Sequence, residues 1–98
     1  ISNLYNKNNF VGVEIGAPSI SSPNFVDTFG SLVNSIEKSF VESNKDLVWM
    51  DGKNKGYTEL SIQSESIEVK FHFVSSVKSK KYQKLDPISF KIEHGKPI

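Results

Sequence analysis

Apolar and polar positions change period several times along the 98 residues, and each change marks an element. Between Phe10 and Ala17, the residues Val11, Val13, Ile15 and Ala17 alternate with Phe10, Gly12, Glu14 and Gly16. Successive side chains on extended backbone point to opposite faces, so a period of two predicts a half-buried strand. Two glycines thin one of its faces, which marks either a bulge or the close approach of another layer, and close packing is the favoured reading. Ile1 to Tyr5 also reads as strand, with Lys7-Asn8-Asn9 as the turn between the two. Pro18 to Pro23 excludes regular helix, and Ser22-Pro23 has the form of an N-cap followed by the first helical residue.

Phe25, Phe29, Leu32, Val33, Ile36 and Phe40 then recur with helical spacing, predicting an amphipathic helix whose stripe packs on a sheet. Gly30 weakens its middle, so a short separate piece is expected before a firmer helix from Ser31 to about Ser43. Leu47-Val48-Trp49-Met50 reads as a short strand, and Asp51 to Gly56 as a polar turn. Next comes the clearest element, a hairpin. Thr58, Leu60 and Ile62 share a face with Ile67, Val69, Phe71 and Phe73 around a Gln63-Ser64-Glu65-Ser66 turn, while Glu68, Lys70 and His72 face the other way. Residues 78–87 form an exposed Lys-rich linker before a last strand over 88–93. The expected class is α/β, or α+β as an isolated piece, in the order strand, helix, short strand, hairpin, edge strand.

Composition bounds what such a chain can do. A chain of 98 residues is sized for one domain, burying roughly 65% of its unfolded surface. The formal net charge of +1 gives no global attraction for nucleic acid, and no apolar run approaches the length of a membrane span. With no Cys there is no disulfide frame, thiolate metal site or Cys nucleophile. All twelve basic residues are Lys, so the planar fork that best grips phosphate is missing.

The residues themselves do not assemble an active site. Metal-dependent hydrolases need His, Asp, Glu or Asn ligands in close sequence pairs, yet His72 and His94 lie in separate segments with no second ligand nearby. His72 reads as a solvent-facing strand residue and His94 as part of the tail. Asp51 to Gly56 has the first Asp and sixth Gly of a calcium loop, but Lys53 and Lys55 stand where oxygen ligands belong, so a plain turn is expected. The S-x-x-K pairs at Ser35 and Ser75 are as frequent as chance predicts in so Ser- and Lys-rich a chain. Glu14 is either paired on the wet face or an orienting partner for a neighbouring site. Trp49 and Phe71 read as core.

Two stretches nevertheless resemble a known family in order and spacing. Val13-Glu14-Ile15-Gly16-Ala17-Pro18-Ser19-Ile20-Ser21-Ser22-Pro23 is similar to the strand and loop of PhoD-like alkaline phosphatases, in the metallophosphatase group. Asn44 to Trp49, Lys55-Gly56-Tyr57 to Ile62 and Ile67 to Val74 are similar to that family's ending, with Lys55 where the family usually has Arg. The resemblance covers about Phe10 to Val77. It implies a C-terminal segment of a two-sheet sandwich flanked by helices, within a secreted or periplasmic enzyme hydrolysing phosphate esters at a two-metal centre. Glu14, Gly16, Ser19, Ser21, Ser22, Gly56 and Tyr57 would be structural motif residues, and Ser2 and Asn3 would lie near the rim of the site. The family's G-D-x-H ligands would precede Ile1. The chain, which starts without Met, is thus expected to be inactive alone, to bind no metal itself, and to partner the upstream catalytic part of its polypeptide. A non-catalytic binding or structural α+β domain is the alternative. Uncovered strand faces would also favour self-association.

Overall fold

The computed structural model describes residues 1–76, 78 and 80–98. Its architecture is α+β, with two small antiparallel sheets and a helical segment between them in sequence. Strands β1 (Ser2–Asn6) and β2 (Asn9–Glu14) form one ribbon, and β3 (Lys55–Ile62), β4 (Ser66–Val74) and β5 (Ile88–Glu93) form the second sheet in that order.

The hairpin forms where alternation predicts it. Gly56, Thr58, Leu60 and Ile62 stand opposite Phe73, Phe71, Val69 and Ile67, and the last three of these stand opposite Ile88, Phe90 and Ile92. One face of the sheet is therefore apolar across all three strands. Val69, Phe71 and Phe73 form its buried centre, and Ile15 and Trp49 pack over them. The Trp49 ring lies 4.9 Å from that of Phe71, 5.6 Å from Phe90 and 6.2 Å from Phe73 between centroids. Edge and tilted contacts of this kind add about 1 kcal/mol per pair to the area they bury.

Within the ribbon, Leu4 pairs with Gly12 but Tyr5 pairs with Phe10, leaving Val11 as the extra residue of a β-bulge. The close packing expected at the glycines is not found, since a side chain at Gly12 or Gly16 would meet open space. Bulging absorbs the irregularity instead, and it turns Val11 outward, 62% exposed.

Leu47 to Met50 is extended but is not a strand. Val48 and Trp49 both donate to the carbonyl of Ile1, at 3.0 and 3.3 Å, and two donors on one acceptor cannot propagate a ladder. One bridge, Ser2 to Leu47, and the Asn3 amide on the Asp46 carbonyl hold this run beside β1. It carries Trp49 onto the larger sheet.

Gly30, at φ 57°, divides the helical segment as its sequence predicts. Helix α1 (Phe25–Phe29) precedes it, residues Gly30–Leu32 form a 3₁₀ turn, and α2 (Val33–Ser43) follows. The N-cap is Asn24 rather than Ser22, because Asp27 three residues on reaches back to the Asn24 amide at 2.7 Å. The apolar stripe does not cover the sheet. None of its residues packs against the Val69–Phe71–Phe73 cluster, and Phe29, Leu32 and Phe40 are exposed. Val33 alone in the segment is buried.

Part of the expected linker is anchored. Leu85 donates to the Phe73 carbonyl, and Ser75 to that of Gln83, so the chain runs along the end of β4 before Asp86-Pro87 and β5. Lys78, Lys80, Lys81 and Lys84 are exposed; Val77 and Ser79 lie outside the described residues.

Candidate functional site

The strongest convergence of polar groups joins the Ser19–Asn24 loop to the start of β3. The Gly56 amide donates to the Ser19 carbonyl at 3.1 Å, and the Asn24 side-chain amide to the Asn54 carbonyl at 3.0 Å. Lys55 Nζ donates both to the Ser22 carbonyl, at 2.7 Å, and to Asp27 Oδ2, at 3.0 Å. The Lys55 side chain is only 12% exposed, so its charge is held against these acceptors rather than in bulk water. Asp27 is held below the ordinary aspartate pKa first by the Asn24 amide and then by Lys55.

A second set of bonds braces the turn before β3. Asp51 Oδ1 accepts from the Lys53 and Asn54 amides, and Oδ2 from the Asn54 side chain. These internal donors make an Asx turn at Asp51. Glu37 of α2 accepts from the Gly52 amide at 2.6 Å, and Val26 of α1 donates to the Gly52 carbonyl. The helices therefore grip the 51–54 turn and the first residue of β3 rather than the apolar face of the sheet. Gly56 is required by space: a Cβ there would collide with the carbonyl oxygen of His72 across the strand pair.

The motif residues divide between this junction and solvent. Ser19 joins it through its carbonyl, while its hydroxyl donates to the Ser22 carbonyl at 2.9 Å. Ser22 and Gly56 also belong to it, whereas Glu14, Gly16 and Ser21 are exposed outside it. Ser2 lies opposite Glu14 in the ribbon. Asn3 is buried, and its side-chain amide pairs with Ile98 in both directions, donating to the carbonyl at 3.1 Å and accepting from the amide at 3.0 Å. Both ends of its side-chain amide thus engage the chain's own backbone.

Tyr57 lies on the opposite, polar face of the sheet, stacked on His72 at 4.8 Å between ring centroids. His72 Nε2 is 3.0 Å from Glu59 Oε1, and this contact holds the Glu59 pKa below its ordinary value. The pair orients an imidazole on the polar face of the sheet. His94 is exposed in the tail, donating its amide to the Glu65 carbonyl. Among the described residues, no three His, Asp or Glu side chains converge.

Sequence reasoning passed over Asn24, Asp27, Asn54 and Glu37. The Asn-x-x-Asp spacing at 24–27 is a capping signature and could have revealed the first two. The other two act through contacts distant in sequence. No protein family, curated protein or solved structure matches the chain.

Proposed function

We propose that the chain is the C-terminal structural part of a PhoD-like, metal-dependent phosphatase or phosphodiesterase. One observation carries this reading: two of the stretches on which the resemblance rests, Val13–Pro23 and Lys55–Ile62, are bonded to one another through Gly56–Ser19 and Lys55–Ser22. Residues that share a motif because they hold one loop against one strand should meet in this way. Lys55 also fills the place of the family's usual Arg, keeping the cation on Asp27 and the loop carbonyl.

The residues present do not fit a two-metal centre, since no three potential ligands come together among those described. Such a centre is assigned to the upstream catalytic part of the polypeptide, and the role of this chain is to position the strand and loop that adjoin it. Hydrolysis of p-nitrophenyl phosphate and bis-p-nitrophenyl phosphate, with Ca²⁺, Mn²⁺, Fe³⁺ or Zn²⁺ supplied, tests the reading. Turnover is expected from the complete product of the gene and none from the 98-residue chain. Turnover by the chain alone would overturn the assignment of ligands elsewhere. A complete product with neither turnover nor a G-D-x-H ligand set would end the phosphatase reading.

A second reading, a non-catalytic binding or structural α+β module, is favoured by the exposed apolar helix face of Phe29, Leu32 and Phe40.

A further inference from the structure

Among the described residues, Asn3 is the one polar side chain that is buried, at 9% exposed. Both ends of its amide serve a single residue far along the chain: Nδ2 donates to the Ile98 carbonyl at 3.1 Å, and Oδ1 accepts from the Ile98 amide at 3.0 Å. Residues that face each other in an antiparallel ladder exchange two bonds in this way, and here a carboxamide stands in for the opposite strand. The contact therefore reads main chain and not side chain.

The segment that Asn3 holds has little else to hold it. His94, Gly95, Lys96, Pro97 and Ile98 are all exposed, so burial contributes little to their position. A turn sets their path away from β5: the His94 amide donates to the Glu65 carbonyl at 2.9 Å, Gly95 takes φ 71°, and the Lys96 amide donates to the Glu93 carbonyl at 3.1 Å. Glycine adopts a positive φ without steric strain and can leave it as readily, so Gly95 is a natural hinge. Pro97, with its fixed φ and no N–H, keeps residues 96–98 stiff and outside any ladder.

This segment borders a cleft of about 370 Å³ between the ribbon and the larger sheet. Residues 10–13 line it from the ribbon, and 62–67 and 92–95 from the larger sheet and the turn that follows β5. Among the described residues no strand of the ribbon pairs with one of that sheet, and a side chain at Gly12 would meet open space, so neither a ladder nor packing at Gly12 closes the cleft.

We infer that residues 95–98 are a flap over one side of this cleft, hinged at Gly95 and latched on Asn3. Latched, the flap joins the end of β5 to the ribbon, because Asn3 stands opposite Val13 of the cleft wall. Unlatched, it swings away about Gly95 while the sheet and its core stay intact.

The absence of Cys allows the flap to be followed with a pair of spin labels. Val11→Cys lies on the ribbon wall at a position 62% exposed, and Lys96→Cys on the flap at a side chain 72% exposed. In the doubly labelled 98-residue chain, pulsed electron resonance should give one narrow distance distribution. Adding Asn3→Asp, which sets a carboxylate oxygen against the Ile98 carbonyl, should broaden it and shift it to longer distances. Ile98→Pro removes the donor from the other side of the latch, away from the core, and should do the same with unchanged far-ultraviolet circular dichroism. Ile98→Ala keeps both main-chain groups and should leave the distribution narrow. A distribution that stays narrow in either folded latch variant, or that Ile98→Ala broadens as much, would overturn the inference; should Asn3→Asp not fold, Ile98→Pro decides.

Discussion

The three-stranded sheet and the helical segment carry similar apolar patterns but use them differently. Along β4, the inward positions Val69, Phe71 and Phe73 are 0%, 1% and 3% exposed. Along the helices, a stripe of equal apolar quality buries Val33 and leaves Phe29, Leu32 and Phe40 in solvent. The difference is supply of partners. A central strand gains neighbours on both edges from its own sheet, with Trp49 and Ile15 above, whereas the helices meet the polar turn at 51–54 and the Lys55 side chain. An amphipathic pattern specifies that a face must be covered without specifying by what.

The contrast is sharpest at Phe71. Phe71→Ala removes a fully buried ring from beneath Trp49 and should cost about 3–5 kcal/mol, a large share of the ~5–15 kcal/mol stability of a domain. The expected result is a chain unfolded at low urea, read from the emission of its single Trp. A change below 1 kcal/mol would deny the sheet its place as the core. Glycines offer the next test. Gly56→Ala forces a main-chain shift against His72 and should cost about 2–3 kcal/mol, while Gly12→Ala in the ribbon enters open space and should change stability by less than ~0.5 kcal/mol. Equal effects in urea titrations would remove the distinction between the sheets.

Within the helices, Val33→Ala should cost about 1.5 kcal/mol for its lost burial. Leu32→Ala, measured at concentrations where the chain is monomeric, should cost under ~0.5 kcal/mol. Native-state hydrogen exchange should rank the two regions likewise, slowest in β4 and faster in α1 and α2.

The smallest effect is electrostatic. Asp27 has a folded pKa below its unfolded value of 3.8, so the native state binds a proton less readily than the unfolded chain. Its stabilising contribution is present above that value and is lost as pH falls through the folded pKa. Asp27→Asn should therefore lower stability at pH 6 and flatten the acid limb of the urea midpoint against pH. A variant with an unchanged acid limb would show that the Asn24 and Lys55 contacts do not bias Asp27.

How much of this was legible residue by residue follows the range of the interactions. Alternation over 57–62, 67–73 and 88–93 identifies the larger sheet, because period two comes directly from the pleat. Gly30 marks the helix break for a local reason as well, its positive φ. Leu47 to Met50 misleads because a strand and a run held to β1 by one bridge and an irregular set of bonds at Ile1 have the same composition. Gly12 misleads because a thin face suits a bulge as well as a close approach. For the candidate site, the loop and β3 motifs were visible separately. Their junction was not, since it depends on carbonyls of Ser19, Ser22 and Asn54, and any residue type supplies a carbonyl.

By itself the sequence determined the hairpin with its added strand, the divided helix, and the lack of cysteine chemistry, all of which follow from periodicity and residue type. Tertiary structure alone decided that Trp49 lies on the sheet, that Lys55 and Asp27 clasp the Ser19–Asn24 loop, and that the helical stripe remains open. Those outcomes depend on which distant backbone groups arrive together, and side-chain order along a chain does not encode that distance directly.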